Sequence, residues 1–341
     1  MDWARQVLSG YPLDELIALL APLPRYRSVQ IFKWIARGVE TFDGMSDLPL
    51  DLRGELSGRF TLFSSEINTQ LLDNDGTIKL GITLADNAKI EAVLLSDGRD
   101  RKTACLSTQA GCPAGCVFCK TGTLGLKRNL SPAEIVEQFL LLKKAGGDIS
   151  HIVIMGMGEP LLNLGNLRSA LSVICDKQGI NMSRRKITVS TCGISEGITE
   201  LADRGPDVRL ALSLTTADEE LRRRLMPISQ AQSLGSIKKA LAHYQKKGGG
   251  RITLELVLLG GINTRPADVG ALKAFVKGID AVVNVIPWNS FDNPPAFAPA
   301  LREPTRAETD DFMGQLEAAK IKATCRYRKG RGIGGACGQL G

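Results

Sequence analysis

Apolar residues in the first sixty positions recur at helical spacing. Leu13, Leu16, Ile17 and Leu20 mark one such segment, and Val29, Phe32, Trp34 and Ile35 mark a second. Residues 1–60 therefore read as a small helical accessory unit. The period then changes. Asp75-Gly76 is a turn signal between apolar runs, and 79–84 with 89–95 reads as a hairpin, so 61–97 is expected to be a connecting β-hairpin region. From about residue 100 the chain alternates. β-branched, apolar runs at 104–108, 152–155, 187–191, 208–214, 252–258 and 282–286 are separated mostly by helical patterns near 164–177, 195–204, 233–247 and 266–278. Ser131-Pro132-Ala133-Glu134 is a capping box with proline at the first helical position, opening a helix through 144. A last helix at 306–319 precedes a short strand at 321–326. Repeated βα units imply a parallel sheet. About six of them predict an α/β fold built as an open or partial (β/α)6 barrel over 98–327. Its chemistry is expected at the C-terminal strand ends. Residues 292–304 read as a Pro/Ala-rich loop, and 328–341 as a flexible, Gly-rich basic tail.

Composition adds little to the fold and something to the partner. The 341 residues are 43% hydrophobic and 23% charged, ordinary globular values. Net charge is +7, which fits a polyanionic partner. Arg25, Arg27, Lys33 and Arg37 lie beside the second apolar segment. That unit reads either as an RNA-touching module or as a plain helical cap. No apolar run reaches membrane-spanning length, and MDWARQVLSG lacks the pattern of a signal peptide, so a cytoplasmic protein with no membrane contact is expected.

The cysteines carry the chemistry. There are eight: 105, 112, 116, 119, 175, 192, 325 and 337. Clustered cysteines in a reducing compartment point to metal or catalysis over structural disulfides. Cys175 and Cys192 read as small core residues. Cys112, Cys116 and Cys119 form a CxxxCxxC run directly after a predicted strand. Thiolates suit zinc or iron–sulfur. Structural zinc takes four ligands, and here only three cysteines cluster. Neither His151 nor His243, the two histidines present, is an obvious fourth. Spacing favours an iron–sulfur cluster with one iron left open. A non-catalytic iron–sulfur or zinc module that binds RNA is the competing reading.

CxxxCxxC with Phe118 just before the last cysteine resembles the radical S-adenosylmethionine (SAM) signature. The surrounding text is more specific. TACLSTQAGCPAGCVFCKTGTLGLKRNLSPAEIVEQ, IVIMGMGEPLLN (152–163), ITVSTCGI (187–194), LALSL (210–214), VNVIPWNSF (283–291) and ACGQL (336–340) are similar to the RlmN/Cfr family of radical SAM RNA adenosine methyltransferases. The order and spacing fit from about residue 25 to the C-terminus. VIPWNSF favours the RlmN side.

The resemblance implies a [4Fe–4S] cluster on Cys112, Cys116 and Cys119, and two SAM molecules per turnover. It assigns Gly158, Glu159, Ser190, Ser213, Leu214, Thr215 and Asn289 to SAM. Taken alone, any one of these polar residues is more often a local turn or cap at a strand end. It makes Cys337 the residue that accepts a methyl group, and Cys105 its resolving partner through a transient Cys105–Cys337 disulfide. Glu91 matches the family's proton acceptor. Cleaved SAM gives a 5′-deoxyadenosyl radical that takes hydrogen from S-methylated Cys337. The implied substrate is C2 of an adenosine in 23S rRNA, with tRNA as a second substrate; C8 methylation or another RNA is the alternative. Unstacked bases suit such an enzyme. An electron donor such as a flavodoxin or ferredoxin is implied, and a monomer is expected.

Several basic residues invite roles. Lys120, Lys127 and Arg128 are candidates for phosphate contact or for a solvated surface. Arg326, Arg328, Lys329 and Arg331, if near Cys337 in space, are expected to favour its thiolate. Three departures from the family stand out. Thr215 replaces a histidine after Ser213-Leu214. Gly330-Arg331-Gly332-Ile333 replaces an acidic Gly-Asp-Asp-Ile-like run. Gly260-Gly261 stands where many members carry histidine or aspartate.

Overall fold

The computed structural model describes residues 6–97, 101–326 and 329–341. Arg328, and the expected boundaries at 98 and 327–328, lie outside the described residues. The N-terminal unit comprises β1 (Gln6–Val7), α1 (Leu13–Leu19), α2 (Arg25–Ala36), α3 (Leu50–Arg59) and β2 (Phe60–Thr61), with β1 and β2 paired in parallel. The hairpin region gives β3 (Glu66–Leu72), β4 (Ile78–Thr83) and β5 (Lys89–Ser96). Next come β6 (Lys102–Cys105), β7 (Gln109–Gly111), α4 (Lys120–Thr123), β8 (Leu126–Asn129) and α5 (Pro132–Gly146). The rest alternates: β9 (His151–Ile154), α6 (Leu164–Cys175), β10 (Ile187–Thr191), α7 (Ser195–Arg204), β11 (Arg209–Ser213), α8 (Glu219–Leu225), α9 (Leu234–Lys246), β12 (Ile252–Leu258), α10 (Pro266–Val276), β13 (Ala281–Pro287), α11 (Arg306–Ala318) and β14 (Ala323–Cys325).

Ten strands form one sheet in the order β14-β13-β12-β11-β10-β9-β6-β5-β4-β3. The pairs from β6 to β14 are parallel, and β5, β4 and β3 extend the sheet antiparallel. This is the expected partial barrel. Sequence reading missed the two-stranded ribbon of β7 and β8, which brackets the cysteine loop, and helix α8. Both are too short to show a period. The expected capping box is formed: Ser131 accepts from the Glu134 amide, and Glu134 accepts from the Ser131 amide.

One apolar core runs from Leu8 to Leu340, so the N-terminal unit packs on the barrel. Glu137 of α5 ties that seam. It is fully buried and accepts hydrogen bonds from Ser9 Oγ at 2.7 Å and the Ser64 amide at 3.1 Å. Most basic residues of α2 are engaged locally: Arg27 stacks on Tyr26 and Arg37 on Trp34, while Arg25 lies 3.8 Å from Asp14. No helix among the described residues is long and apolar enough to cross a membrane.

The sheet does not close by strand pairing; the C-terminal tail crosses the gap. The Lys329 ammonium reaches the Ser96 carbonyl, and the Gly341 amide donates to Glu91 Oε2 at 2.9 Å. The tail also inserts at the strand ends. Lys120 N donates to Gly338 O at 2.8 Å, and Thr121 Oγ1 to Leu340 O at 2.6 Å. Ala336 and Leu340 are buried there.

Candidate active site

The cysteine loop leaves β7 at Gly111, whose φ of +79° suits glycine; a side chain would meet the Gly125 carbonyl. The loop is pinned from several sides. Trp288 Nε1 donates to Phe118 O at 2.7 Å, Val117 N to Leu225 O at 3.0 Å, and Cys119 N to Cys116 O at 3.2 Å. Cys112, Cys116 and Cys119 all face one cavity of about 170 Å³, lined also by Gly158, Glu159, Ser190, Ser213, Thr215, Glu255, Asn289 and Cys337. Burial pushes the Cys112 thiol up to about 12 and raises Cys116 and Cys119 as well.

The strand ends supply the cavity's polar groups. Gly158 holds φ +104°, and a Cβ there would lie 2.6 Å from Gln109 Cβ. That close approach lets Gln109 Oε1 accept the Glu159 amide at 2.8 Å. Glu159 is buried, and both its oxygens are engaged, by Leu161 N at 3.0 Å and Cys192 N at 2.7 Å. Burial raises its pKa, with those hydrogen bonds opposing. Ser190 Oγ and Ser213 Oγ are 3.1 Å apart. Thr215 sits at φ +61°, a left-handed backbone that a β-branched residue rarely adopts. Its carbonyl accepts from Asn263 Nδ2 at 3.0 Å and its amide donates to Glu255 O at 3.1 Å.

These residues fit a cluster with a chelated small molecule. No three His, Cys, Asp or Glu side chains among the described residues converge on a single metal ion. Wider thiol spacing is what a multi-iron cluster asks, because each cysteine ligates a different iron. Three buried atoms in the cavity wall also find no partner among the described residues: Thr215 Oγ1, Glu255 Oε2 and Asn289 Oδ1. Buried polar atoms are ordinarily satisfied, so a polar ligand belongs opposite them. The cavity alone is small for a nucleoside, but it shares a wall with a second.

That second cavity measures about 600 Å³ and is lined by Cys105, Thr103, Asn284, Thr324, Arg326 and Lys329. The two share Cys119, Met155, Gly156, Ile286, Asn289, Cys337 and Gly338. Cys337 thus stands on the wall between them, with Asn289 Nδ2 donating to its carbonyl at 3.2 Å. Cys105, on β6, is buried, which pushes its thiol up to about 12, with Cys337 adding to the rise. Cys337 is open to solvent but enclosed by the concave wall, and its thiol is raised too. Arg326 opposes that rise, yet burial outweighs it. Of the basic residues expected near Cys337, Arg326 acts on its thiol in the expected direction. Arg331 pairs instead with Glu303 at 2.6 Å.

Two expected site residues stand apart. Glu91 of β5 lines neither cavity; it pairs with Lys79 at 3.0 Å and holds the Gly341 amide. The Leu214 side chain is fully buried, and its amide donates to Leu212 O and Glu255 O. Arg128 is bound to Asp86 at 2.7 Å and Glu134 at 2.8 Å, so it is a structural cation and not a free phosphate contact. The Gly260-Gly261 pair makes room for Arg302, whose Nη1 would lie 2.1 Å from a Cβ on Gly260.

Sequence reading missed three residues. Cys192, taken as core filler, lines the smaller cavity and holds Glu159. Arg222 is almost fully buried, donating to Leu214 O at 3.2 Å and Cys192 O at 2.5 Å. Nothing in Arg222-Arg223-Arg224 distinguishes it. Glu255 had a signal: a carboxylate inside the apolar strand ITLELVL. It stands in a row with Ser213, Asn284 and Thr324 across four strands, with Asn284 Nδ2 at 3.2 Å and Arg326 at 3.5 Å.

Comparison with known proteins places this architecture. Residues 106–269 match the Radical SAM superfamily. The probable dual-specificity RNA methyltransferase RlmN of Treponema pallidum (strain Nichols) is 46% identical over 341 residues, covering 100% of this chain and 98% of the relative. The protein of the same name from Thermus thermophilus is 40% identical over 334 residues, covering 96% and 92%. A crystal structure of a radical SAM methyltransferase from Sphaerobacter thermophilus superposes with a TM-score of 0.93 at 36% identity, covering 98% of this chain and 99% of that one. With that likeness along the whole chain, and with three thiols facing a polar cavity at the strand ends, the protein belongs to the RlmN family of radical SAM methyltransferases.

Proposed function

We propose that this enzyme methylates C2 of an adenosine in 23S rRNA, and in tRNA, by carrying the methyl group on Cys337. The relatives' name, dual-specificity RNA methyltransferase, supports the substrate class. One observation carries the relay: Cys337 lines both the cavity of the three clustered thiols and the cavity of Cys105. A group moved from SAM to RNA passes such a position without the tail leaving the wall.

When bound, the [4Fe–4S] cluster on Cys112, Cys116 and Cys119, together with SAM, supplies a 5′-deoxyadenosyl radical. Gly158 lets the backbone approach SAM, while Glu159, Ser190, Ser213, Thr215 and Asn289 bind its polar groups; Leu214 contributes backbone only. The Cys337 sulfur first takes a methyl from one SAM and loses its proton, releasing S-adenosylhomocysteine. S-methyl Cys337 then gives a hydrogen atom to the 5′-deoxyadenosyl radical that a second SAM would supply. Its carbon then bonds to adenine C2. The adduct gives up the C2 proton to Glu91 and returns the one electron that cleavage of SAM consumed. For this, Glu91 leaves Lys79 and the Gly341 amide. Cys105 sulfur attacks Cys337 sulfur, the sulfur–carbon bond breaks, and the freed carbon takes a proton to become methyl. The resulting disulfide is reduced by an external dithiol. A small acidic electron carrier such as a flavodoxin or ferredoxin supplies the electron, and the enzyme works as a cytoplasmic monomer. The helical unit 1–60, the hairpin region 61–97, the barrel 98–327 and the tail 328–341 divide the work.

Nucleoside mass spectrometry of rRNA and tRNA, from cells with and without the gene, tests the reading. Loss of 2-methyladenosine is expected. An unchanged level, or loss of 8-methyladenosine in its place, overturns the C2 assignment. Cys105→Ala is expected to leave protein covalently joined to RNA, and clean turnover by that variant refutes the resolving role.

A further inference from the structure

The tail carries Lys329 and Arg331 among six glycines, at 330, 332, 334, 335, 338 and 341. Acidic groups face it across the gap. In the β3–β4 turn, Asp75 Oδ2 accepts the Gly330 amide at 2.9 Å, and Asp73 Oδ2 accepts the Gly332 amide at 3.1 Å. Lys79, on β4, donates to the Gly334 carbonyl at 3.3 Å. On the opposite side Arg331 pairs with Glu303 at 2.6 Å. The tail is therefore gripped by carboxylates from two sides, just before Cys337.

The turn is built for this. Asp73 Oδ1 accepts the Asn74 amide at 2.7 Å and Asp75 Oδ1 the Thr77 amide at 2.9 Å, so each carboxylate is fixed by one oxygen and offers the other to the tail. The tail answers with a glycine backbone. Gly330 and Gly334 hold φ of +68° and +61°. Side chains at 330 and 332 would meet Thr77 Cγ2 at 2.8 Å and Asp73 Oδ1 at 3.0 Å. Alternate amides of the tail, those of Gly330 and Gly332, each donate to a different carboxylate. Such charge-assisted bonds are stronger than neutral ones.

We propose that Asp73 and Asp75 are positioning residues: they clamp the glycine backbone of the tail and so hold Cys337 on the wall between the two cavities. The clamp also fits the charge of the tail, since an aspartate at 331 or 332 would face Glu303 or Asp73. It rests on the methyl-relay reading only for its consequence in turnover; the docking itself does not depend on it.

The test uses full-length protein with its cluster reconstituted anaerobically. Two variants approach the clamp from opposite sides, Asp73→Ala/Asp75→Ala in the turn and Gly332→Asp in the tail. Amide hydrogen exchange at 330–334 and the rate of Cys337 alkylation by iodoacetamide are followed by peptide mass spectrometry. Both are expected to rise roughly tenfold, the factor that about 1.4 kcal/mol of lost docking gives. Iron content and SAM binding stay at wild-type levels, and single-turnover methylation of Cys337 falls. Wild-type exchange and alkylation in both variants would overturn the clamp. Failure of the wild-type protein to methylate Cys337 would overturn the relay instead, while the exchange rates still decide the clamp.

Discussion

Gly158→Ala isolates the steric demand that brings the cysteine loop and the Glu159 strand end together. A methyl group at 158 would lie 2.6 Å from Gln109 Cβ and 2.8 Å from Gln109 N, the second of which is backbone. Neither neighbour is the far end of a flexible chain, so β7 must shift. Alanine would also have to hold φ +104°. Forcing a side chain into that region costs about 1–3 kcal/mol, and overpacking adds roughly 1–3 kcal/mol. The expected loss is therefore about 2–6 kcal/mol, a large share of a typical folding free energy. Gly165→Ala is the control. It lies in α6, where an added Cβ would have nothing within 4 Å and the backbone holds no positive φ. There alanine should be neutral or stabilise by about 0.5 kcal/mol. Urea denaturation of both variants, with iron content per chain after reconstitution, reads the outcome. Because Gly111 and Cys112 follow directly from β7, Gly158→Ala should also retain less iron. A loss under about 1 kcal/mol for Gly158→Ala refutes the reasoning.

Other sites give simpler expectations. Trp288→Phe removes the donor to Phe118 O and should cost about 1–2 kcal/mol; chelator-driven loss of iron, followed by absorbance, should be faster, and an unchanged rate would dismiss the contact. Asn163→Ala strips Nδ2 from the buried carbonyls of Thr108 and Leu130, at 2.8 and 2.9 Å, for about 2–4 kcal/mol by urea denaturation. Asp86 is held down to about 2 by the Arg128 guanidinium. A depressed carboxylate contributes stability above its unfolded value of about 3.9 and loses it as pH falls through about 2. Half-exposed as it is, it should give at most about 1 kcal/mol at neutral pH. The stability gap between wild type and Asp86→Asn should close across that window, and a gap that persists at pH 2 contradicts the pairing.

Most of the fold was legible because its signals are local. β10 and α7 begin and end where the apolar runs and helical periods do, and the Ser131 capping box specifies the start of α5. Short elements were not. β7 and β8 have three and four residues, at most two repeats of the strand period. The contacts of the tail were hidden for a different reason. Glycine content speaks of freedom in isolation and not of the close approach to Asp73 and Thr77 that it also allows.

The site divided along the same line. Cys112, Cys116 and Cys119 could be read from spacing because one loop holds all three. Nothing local joins Cys105 to Cys337. Their meeting depends on β6 lying inside the sheet, on β14 ending it, and on the tail crossing from one edge to the β4–β5 hairpin. At Cys337 the charge reading found one effect and not the one opposing it, because sequence reports neighbours and not enclosure. Arg326 does act on the thiol in the expected direction, but desolvation in the cavity wall is the larger effect. Glu255 lay between these cases. Its carboxylate in an apolar strand announces a buried polar group with a purpose. Only the register that sets it beside Asn284 and Arg326 shows that this residue of the smaller cavity neighbours residues that line the larger one.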